Sequence, residues 1–263
     1  MPENNDKADT QLLEAAVREG GKIAKSFAAG SYKTWSKADS SPVSEADLAV
    51  DRYLNGVLLA ARPNYGWLSE ETTDNAARLS TKRVFVVDPI DGTSAFLKGL
   101  PHFTICAAVV DSGKTVAGAV YNPMMEECYT AQRGAGAWLN GVPIHVSTRE
   151  RLEGCRILAN KSVLANPKFK WPTMERDNRD SAAYRLVLVA SGAFDATISL
   201  TTKRDWDLAA ADLIVREAGG IVSWQDGTIP LYNQASALHP GAIAAGPALH
   251  AQMLSHLRHL ESS

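Results

Sequence analysis

The sequence predicts a mixed α/β protein, and two patterns along its 263 residues support this prediction. In the first half, apolar and β-branched runs follow one another with only short turns between them, which predicts an antiparallel sheet. In the second half, strand-like and helix-like segments alternate, which predicts an α/β unit. We therefore expect an N-terminal α+β half over residues 1–150 and a C-terminal α/β half over residues 151–263.

Two amphipathic helices are predicted before the first sheet. Apolar residues recurring on one helical face indicate a helix over about residues 9–29. Ser44 and Asp47 have the spacing of an N-terminal capping box, with Asp in place of the usual Glu or Gln, and they predict a second helix that ends near Ala61. A cap explains Asp47 without any function, so its role stays open at this point.

The first half then reads as a series of strands. A short strand at residues 65–69 leads into Glu70 and Glu71, whose side chains should point to opposite sides. Residues 134–138, Gly-Ala-Gly-Ala-Trp, lack the third glycine of a dinucleotide-binding fingerprint and predict a turn. The other strands are expected at residues 84–87, 103–110, 115–121 and 127–132.

The second half alternates between the two kinds of element, apart from a charged, loop-rich stretch at residues 161–180. Strands are expected at residues 155–159, 194–200, 221–224 and 242–245. Helices are expected at residues 181–191, 208–218 and 247–260.

Composition limits the function classes. The net charge is −2 and the pI is about 6.3, which argues against a nucleic-acid polymer as the main partner. The three cysteines are far apart in the sequence and are expected to be reduced core thiols, which favours a cytoplasmic location. Residues 1–7 lack the apolar segment of a signal peptide, and no run of eighteen apolar residues predicts a membrane span.

The most informative stretch is Val-Phe-Val-Val-Asp-Pro-Ile-Asp-Gly-Thr, residues 84–93. Its first four residues predict a strand buried on both faces, and strand pairing should stop at Pro89, which has no N–H to donate. Asp88 and Asp91 then project from the end of a rigid element. Such a pair of carboxylates suits a hard cation.

A helix is expected to begin near Ser94, directly after Gly92 and Thr93. The first backbone N–H groups of a helix have no partner within it, and the helix dipole is positive there, so this terminus suits a phosphate group. Carboxylates for a cation beside amides for a phosphate indicate metal-assisted phosphoryl chemistry.

Other interpretations of this stretch are possible. Asp-Pro and Asp-Gly pairs are ordinary turn chemistry, so the stretch alone leaves a plain turn open. Two residues separate Asp88 from Asp91, whereas the nucleophile motif of haloacid dehalogenases has one residue between its aspartates. The Gly-Lys-Thr triplet at residues 113–115 lacks the first glycine of a P-loop, because residue 108 is alanine, and this excludes a P-loop.

Acidic residues also stand at the ends of other predicted elements; the set is Asp47, Glu70, the pair Asp88 and Asp91, and Asp207. In order along the chain, the motifs Ser-Glu-Glu, Asp-Pro-Ile-Asp-Gly-Thr, Trp-Asp-Leu-Ala-Ala and Glu-Ala-Gly-Gly resemble the inositol monophosphatase superfamily of Mg²⁺-dependent, lithium-sensitive phosphomonoesterases. The resemblance extends from about Lys37 to Ile221. It implies alternating layers of helices and sheets, αβαβα, and a homodimer.

The resemblance also implies roles for the matching residues. The implied metal ligands are the carboxylates of Glu70, Asp88, Asp91 and Asp207 and the carbonyl of Ile90. The residues implied to position the attacking water are Glu70, Asp47 and Thr93. The implied phosphate and substrate contacts are Gly92, Thr93, Asp207, Lys37, Ser181 and Lys203.

Electrostatics supports bound cations independently. Two carboxylates about 4 Å apart repel by roughly 4 kcal/mol at an effective dielectric constant near 20, so four converging carboxylates cannot all stay ionised without cations. Two or three Mg²⁺ per subunit would neutralise them, and a ligand set made only of oxygen favours Mg²⁺ over Zn²⁺. The expected reaction is in-line attack on phosphorus by a metal-activated water, with no phosphoenzyme.

The resemblance implies a small phosphorylated metabolite as the substrate, and two departures from the family pattern bear on its identity. Family members that prefer inositol phosphates carry a glutamate about seven residues before the Trp-Asp aspartate, and this region is here Ser-Leu-Thr-Thr-Lys-Arg, residues 199–204. Asp180 also replaces a family glycine. These departures favour adenosine 3′,5′-bisphosphate, cleaved by a 3′(2′),5′-bisphosphate nucleotidase, over inositol 1-phosphate. A non-catalytic metal-binding scaffold is the third alternative.

Overall fold

The structure is a computed structural model that describes residues 3–28, 33–36 and 42–258. Seven α-helices occur within these ranges: α1 (Glu3–Ala28), α2 (Glu45–Ala61), α3 (Thr93–Leu97), α4 (Lys161–Leu164), α5 (Ala182–Ala190), α6 (Asp205–Glu217) and α7 (Pro247–Arg258). Short 3₁₀ helices cover Ala76–Ser80 and Pro167–Phe169.

Sixteen strands occur within the same ranges. The first nine are β1 (Thr34–Ser36), β2 (Pro42–Ser44), β3 (Gly66–Ser69), β4 (Arg83–Asp91), β5 (Thr104–Asp111), β6 (Lys114–Asn122), β7 (Glu127–Gln132), β8 (Gly136–Leu139) and β9 (Val142–Pro143). The others are β10 (Arg156–Ala159), β11 (Glu175–Asp177), β12 (Ala196–Ser199), β13 (Lys203–Arg204), β14 (Ile221–Ser223), β15 (Leu238–His239) and β16 (Ala242–Ala245).

Two large sheets organise these strands. The first has seven strands in sequence order from β3 to β9; β3 and β4 are parallel, and every later pair is antiparallel. The second has the order β11-β10-β12-β16-β14 and mixes parallel with antiparallel pairs. The predicted antiparallel sheet in the first half and mixed architecture in the second are therefore present.

Side-chain alternation along the strands divides the core into layers. Phe85 and Val87 on β4 pack with α1 and α2, whereas Val84 and Val86 pack on the opposite face with α5 and α6. Strand β16 repeats this division, because Ala244 joins the α5 and α6 cluster and its neighbours join a third cluster with α7. The layer order is helix, sheet, helix, sheet, helix, which confirms the predicted αβαβα arrangement.

Helix α6 lies close against the first sheet because the residues between them are small. A Cβ atom at Gly118 on β6 would lie 2.9 Å from the carbonyl oxygen of Ala210 and 3.2 Å from its Cα. The helix backbone is therefore in near contact with the strand, and this contact fixes the height of α6 above the sheet.

Strand β4 differs from the prediction at Pro89. Pairing with β5 does not stop there, because Asp88 pairs with Cys106 and, after a shift of register, Asp91 pairs with Thr104. The irregularity accommodates a proline that cannot donate to the ladder, and pairing resumes beyond it.

Two further boundaries differ. Residues Gly136–Leu139 form β8, not a turn, because β7 returns across a tight turn and Gln132 pairs with Gly136. Helix α6 begins at Asp205, three residues earlier than expected, because the carboxylate of Asp207 accepts a hydrogen bond from the backbone N–H of Arg204.

Other expectations hold. Cys106, Cys128 and Cys155 are buried and form no disulfide. Within the ranges that the structure describes, no helix is both long enough and apolar enough to cross a bilayer.

Candidate active site

Asp88 and Asp91 lie at the carboxyl end of β4, where the strand leaves the sheet. Both side chains are buried, with exposed fractions of 1% and 7%. The backbone N–H of Ile90 donates to Asp88 Oδ1 at 3.1 Å, whereas Asp88 Oδ2 is buried without a hydrogen-bond partner. A buried carboxylate oxygen without a partner is costly, so this atom indicates a missing ligand.

Asp207 reaches the same point from the other half of the chain. It lies in the first turn of α6, and the backbone N–H of Arg204 donates to its Oδ2 at 2.7 Å. One carboxylate oxygen each from Asp88, Asp91 and Asp207 lie within 4.8 Å of one another. Three of the four predicted carboxylate ligands therefore form one cluster.

Glu70 is the fourth predicted carboxylate. Parallel pairing places Ser69 beside Val87, and the Glu70 N–H donates to the Val87 carbonyl at 3.3 Å, so the residue sits next to the end of β4. Its side chain lines the same cavity as the three aspartates, although it does not belong to the group within 4.8 Å.

Asp51 holds the segment that carries Glu70. Its carboxylate accepts hydrogen bonds from Ser69 Oγ at 2.5 Å and from Thr72 Oγ1 at 2.9 Å, on either side of Glu70. Asp51 lies one turn after Asp47 on α2, so one helix both contributes to the site and supports the neighbouring loop.

Asp47 caps α2 and also contacts a residue that lines the cavity. It completes the capping box of α2, because Ser44 donates to its Oδ2 through its N–H at 2.8 Å and its hydroxyl at 2.6 Å. Its Oδ1 lies 3.1 Å from Thr93 Oγ1, and that hydroxyl is also 3.0 Å from the Ile90 carbonyl. Asp47 is buried behind Thr93, which lines the cavity.

Ser181 is fully buried and contacts the aspartate cluster, not the cavity. Its hydroxyl donates to Asp91 Oδ2 at 2.6 Å, and the N–H of Ala183 donates to the same oxygen at 2.7 Å. Asp91 thus sits at the N-terminus of α5. Among the described residues that line the cavity, Ser181 is not included.

Burial and mutual repulsion perturb the carboxylates in one direction. Burial raises the pKa of Asp88 well above its usual range, and the charges of Glu70 and Asp91 add to the effect. Burial and the charge of Asp91 raise the pKa of Asp207 to about 7. Burial also raises the pKa of Asp91 and of Asp47, against the hydrogen bonds that favour their charged forms. The cluster therefore requires positive charge to be fully ionised near neutral pH.

The cavity itself has a volume of about 510 Å³. Gly92, Thr93 and Ser94 form one part of its wall, and Lys98, Lys203 and Asp180 also line it. Lys37, another predicted contact, lies outside the described residues.

The residues fit a hard divalent cation. The donors are carboxylate oxygens, with no Cys or His in the group, and the buried Asp88 Oδ2 lacks any other partner. Mg²⁺ prefers such ligands and would relieve the repulsion that raises these pKa values. Four-coordinate zinc sites, in contrast, usually contain Cys or His.

Sequence reasoning missed three residues around this site. Asp51 gave no signal beyond its spacing of four residues from Asp47, and Lys98 had no motif. Arg185 on α5 is buried near the cluster, where its charge interacts with Asp91 and Asp207. An arginine within an otherwise apolar helical segment was the available signal for Arg185.

Comparisons with known proteins show the family to which this chain belongs. Residues 4–262 match the sequence model described as the inositol monophosphatase family. The inositol-1-monophosphatase of Rhizobium meliloti is 34% identical over 228 residues, which are 80% of this chain and 82% of that protein. The Nus factor SuhB of Salmonella typhimurium is 35% identical over 226 residues, which are 81% of this chain and 84% of that protein.

A solved structure has the same fold as this chain. The extragenic suppressor protein suhB from Bartonella henselae has a TM-score of 0.83 against this fold at 29% sequence identity. The match covers 95% of this chain and 98% of that one.

Proposed function

The chain belongs to the inositol monophosphatase family, and we propose on that premise that it is a Mg²⁺-dependent phosphomonoesterase acting on a small phosphorylated metabolite. The observation that carries the proposal is the cluster of Asp88, Asp91 and Asp207, whose oxygens lie within 4.8 Å of one another at the base of a 510 Å³ cavity. Such a cluster needs cations, and the cavity has room for a metabolite.

The proposed ligands are Asp88, Asp91, Asp207 and Glu70 with the carbonyl of Ile90. Divalent cations held by these ligands would supply Lewis acidity and would neutralise the charge of the phosphate. The Asp47–Thr93 pair holds a hydroxyl at the cavity wall, where Thr93 orients a water molecule for attack.

The phosphate is proposed to lie against the wall formed by Gly92 and Thr93. Gly92 has a φ of 93°, and this left-handed conformation turns the backbone from β4 into α3. An added Cβ at Gly92 would lie 3.0 Å from the His102 carbonyl oxygen and 3.1 Å from the Ser181 N. The turn is therefore tightly packed from behind, which preorganises its cavity side.

The leading substrate is adenosine 3′,5′-bisphosphate, which would make the protein a 3′(2′),5′-bisphosphate nucleotidase. Two lysines, Lys98 and Lys203, line the cavity and suit a substrate with more than one phosphate. Residues 199–202, which precede Lys203, contain no carboxylate that could accept hydrogen bonds from a polyol.

Inositol monophosphatase is the second candidate. Asp180 lines the cavity and could accept hydrogen bonds from sugar hydroxyls. The name of the Rhizobium meliloti relative also favours it. A protein-contact scaffold is the third, suggested by the factor name of the SuhB relatives. Lithium sensitivity, a homodimer and a cytoplasmic location belong to the proposal as well.

Phosphate release from a panel of substrates tests the proposal. We expect adenosine 3′,5′-bisphosphate to be cleaved fastest, with inositol 1-phosphate and fructose 1,6-bisphosphate slower, only in the presence of Mg²⁺ and with inhibition by Li⁺. Preference for inositol 1-phosphate would favour the second candidate. No release from any compound would support the scaffold instead.

A further inference from the structure

Arg185 is a buried cation with an unpartnered nitrogen. Its side chain lies on α5 with an exposed fraction of 6%, and its Nη1 is enclosed without a hydrogen-bond partner. The guanidinium group stays charged in proteins, and an enclosed charged donor without a partner is costly. A nearby negative group must offset this cost.

Acidic residues of the active site partly offset the cost of burying the Arg185 charge. Burial lowers the pKa of Arg185, and Asp91, Asp180 and Asp207 act in the opposite direction. Two of these three aspartates are proposed metal ligands. When divalent cations neutralise Asp91 and Asp207, the charge of Arg185 loses much of its compensation.

A small space beside Arg185 shares one lining residue, Lys203, with the substrate cavity. Arg185, Ser199 and Lys203 line a gap of about 10 Å³, and Lys203 also lines the 510 Å³ cavity. A volume of about 10 Å³ is close to the minimum that holds one water molecule, so the gap has room for a single oxygen atom. It cannot hold a whole phosphate group, but it can admit one oxygen of a group that lies in the larger cavity.

We infer that Arg185, together with Lys203, binds a second anionic group of the substrate, one oxygen of which occupies the gap beside Nη1. The reacting phosphate lies at the aspartate cluster, and the second group lies on the Lys203 side of the cavity. This inference rests on the proposed function and narrows the substrate class to phosphomonoesters with a second phosphate or carboxylate. Arg185 is then a specificity-determining residue.

Matched substrate pairs test the inference. Adenosine 3′,5′-bisphosphate is compared with adenosine 3′-monophosphate, and 2-phosphoglycerate with glycerol 2-phosphate, so that each pair differs in the second anionic group. The first pair probes a second phosphate and the second pair probes a carboxylate. The variants are Arg185→Met, Arg185→Lys and the control Arg133→Met, which removes an exposed positive charge far from this cavity.

We expect the wild type to prefer the member with a second anionic group, in at least one pair, by about tenfold or more in kcat/KM. Arg185→Met should reduce kcat/KM for that member by about 10- to 100-fold, as expected for a lost charged hydrogen bond, and leave the other member within about threefold. Arg185→Lys should restore part of the preference. Arg133→Met should leave both values unchanged.

Three outcomes would overturn the inference. A wild type that shows no preference in either pair excludes a second-anion site, whatever the variants do. An equal loss on both members after Arg185→Met assigns Arg185 to support of the aspartate cluster. An unchanged preference in a folded Arg185→Met protein excludes the contact. Absence of phosphate release from every compound by the wild type would instead refute the proposed function itself.

Discussion

Ser181 Oγ donates a hydrogen bond of 2.6 Å to Asp91 Oδ2 and so joins two segments that are 90 residues apart in the chain. The Ser181 hydroxyl has a single proton, and it donates that proton's hydrogen bond to Asp91. In the 3.0 Å contact between Thr104 Oγ1 and Ser181 Oγ, Thr104 is therefore the donor. The N–H of Tyr184 completes the set at 2.9 Å. Ser181 is thus a positioning residue that orients Asp91 from behind.

Ser181→Ala should therefore impair both α5 and the site. Loss of the helix cap should reduce the free energy of unfolding by about 1 kcal/mol. Loss of the bond to Asp91 should lower kcat by about tenfold or more and raise the Mg²⁺ concentration needed for half-maximal activity. Ser191→Ala at the other end of α5, where Oγ donates to the Leu188 carbonyl, is the control. An unchanged Mg²⁺ requirement in Ser181→Ala would contradict this role.

Asp91→Asn should reduce phosphate release by about 100-fold or more, because it removes one charged oxygen ligand from the cluster. The melting temperature without metal should rise or stay unchanged, because the substitution removes a repelling buried charge. Asp177→Asn is the matched control, since Asp177 is exposed and pairs with Arg179 at 2.7 Å. Near-normal turnover in Asp91→Asn would refute the ligand assignment.

The metal-free protein should lose stability as pH rises. The pKa of Asp207 is raised from an ordinary value of 3.8 to about 7, so the folded state binds a proton that the unfolded state releases at lower pH. The favourable contribution of the protonated form is complete below about pH 4 and is lost by about pH 7. Asp88 and Asp91 shift in the same direction.

Thermal unfolding in a chelator at about pH 5 and about pH 8 measures this effect. The melting temperature should be lower at the higher pH, and excess Mg²⁺ should raise it more at pH 8 than at pH 5. Asp207→Asn should flatten the dependence. A stability that increases over this range in the chelator would show that His102 and His250, whose pKa values burial lowers, dominate instead.

Gly92→Ala should abolish most activity, whereas Gly99→Ala should not. Both glycines have positive φ values, 93° and 66°, so both substitutions should cost about 1 kcal/mol or more in backbone strain. Only at Gly92 would the new methyl group press on the His102 carbonyl and the Ser181 backbone, since Gly99 has open space around it. Equal activity of the two variants, measured after both are shown to fold, would show that phosphate binding does not depend on the tight turn at Gly92.

Most strand and helix positions were predictable because their signals are local, whereas the αβαβα layering followed from the family resemblance. Strand β4 has a β-branched run, and the capping box of Ser44 and Asp47 sets the start of α2. The predicted end of β4 was wrong. An isolated proline predicts that strand pairing stops, and only the neighbouring strand β5 shows that pairing resumes at Asp91. Strand β8 was missed because a glycine-rich run gave a turn signal that tertiary pairing overrides.

The convergence of Asp88, Asp91 and Asp207 followed from a family resemblance, since no local pattern links residues more than 100 positions apart. The supporting contacts had no such guide. The bond from Ser181 to Asp91 and the bonds from the Glu70 segment to Asp51 depend on how α5 and α2 are placed, which the spacing of residues does not encode. The unpartnered nitrogen of Arg185 is likewise a property of the packed core alone.

The near contact between Gly118 and Ala210 makes a position without any chemistry important for the reaction. Any side chain at position 118 would clash with the backbone of α6, and the helix would have to tilt or move away from the sheet to make room for it. Asp207 lies in the first turn of the same helix, one turn before Ala210. We therefore expect a side chain at position 118 to displace the Asp207 carboxylate without contacting it. Attempts to redesign this protein for another substrate should therefore keep glycine at position 118, beneath α6.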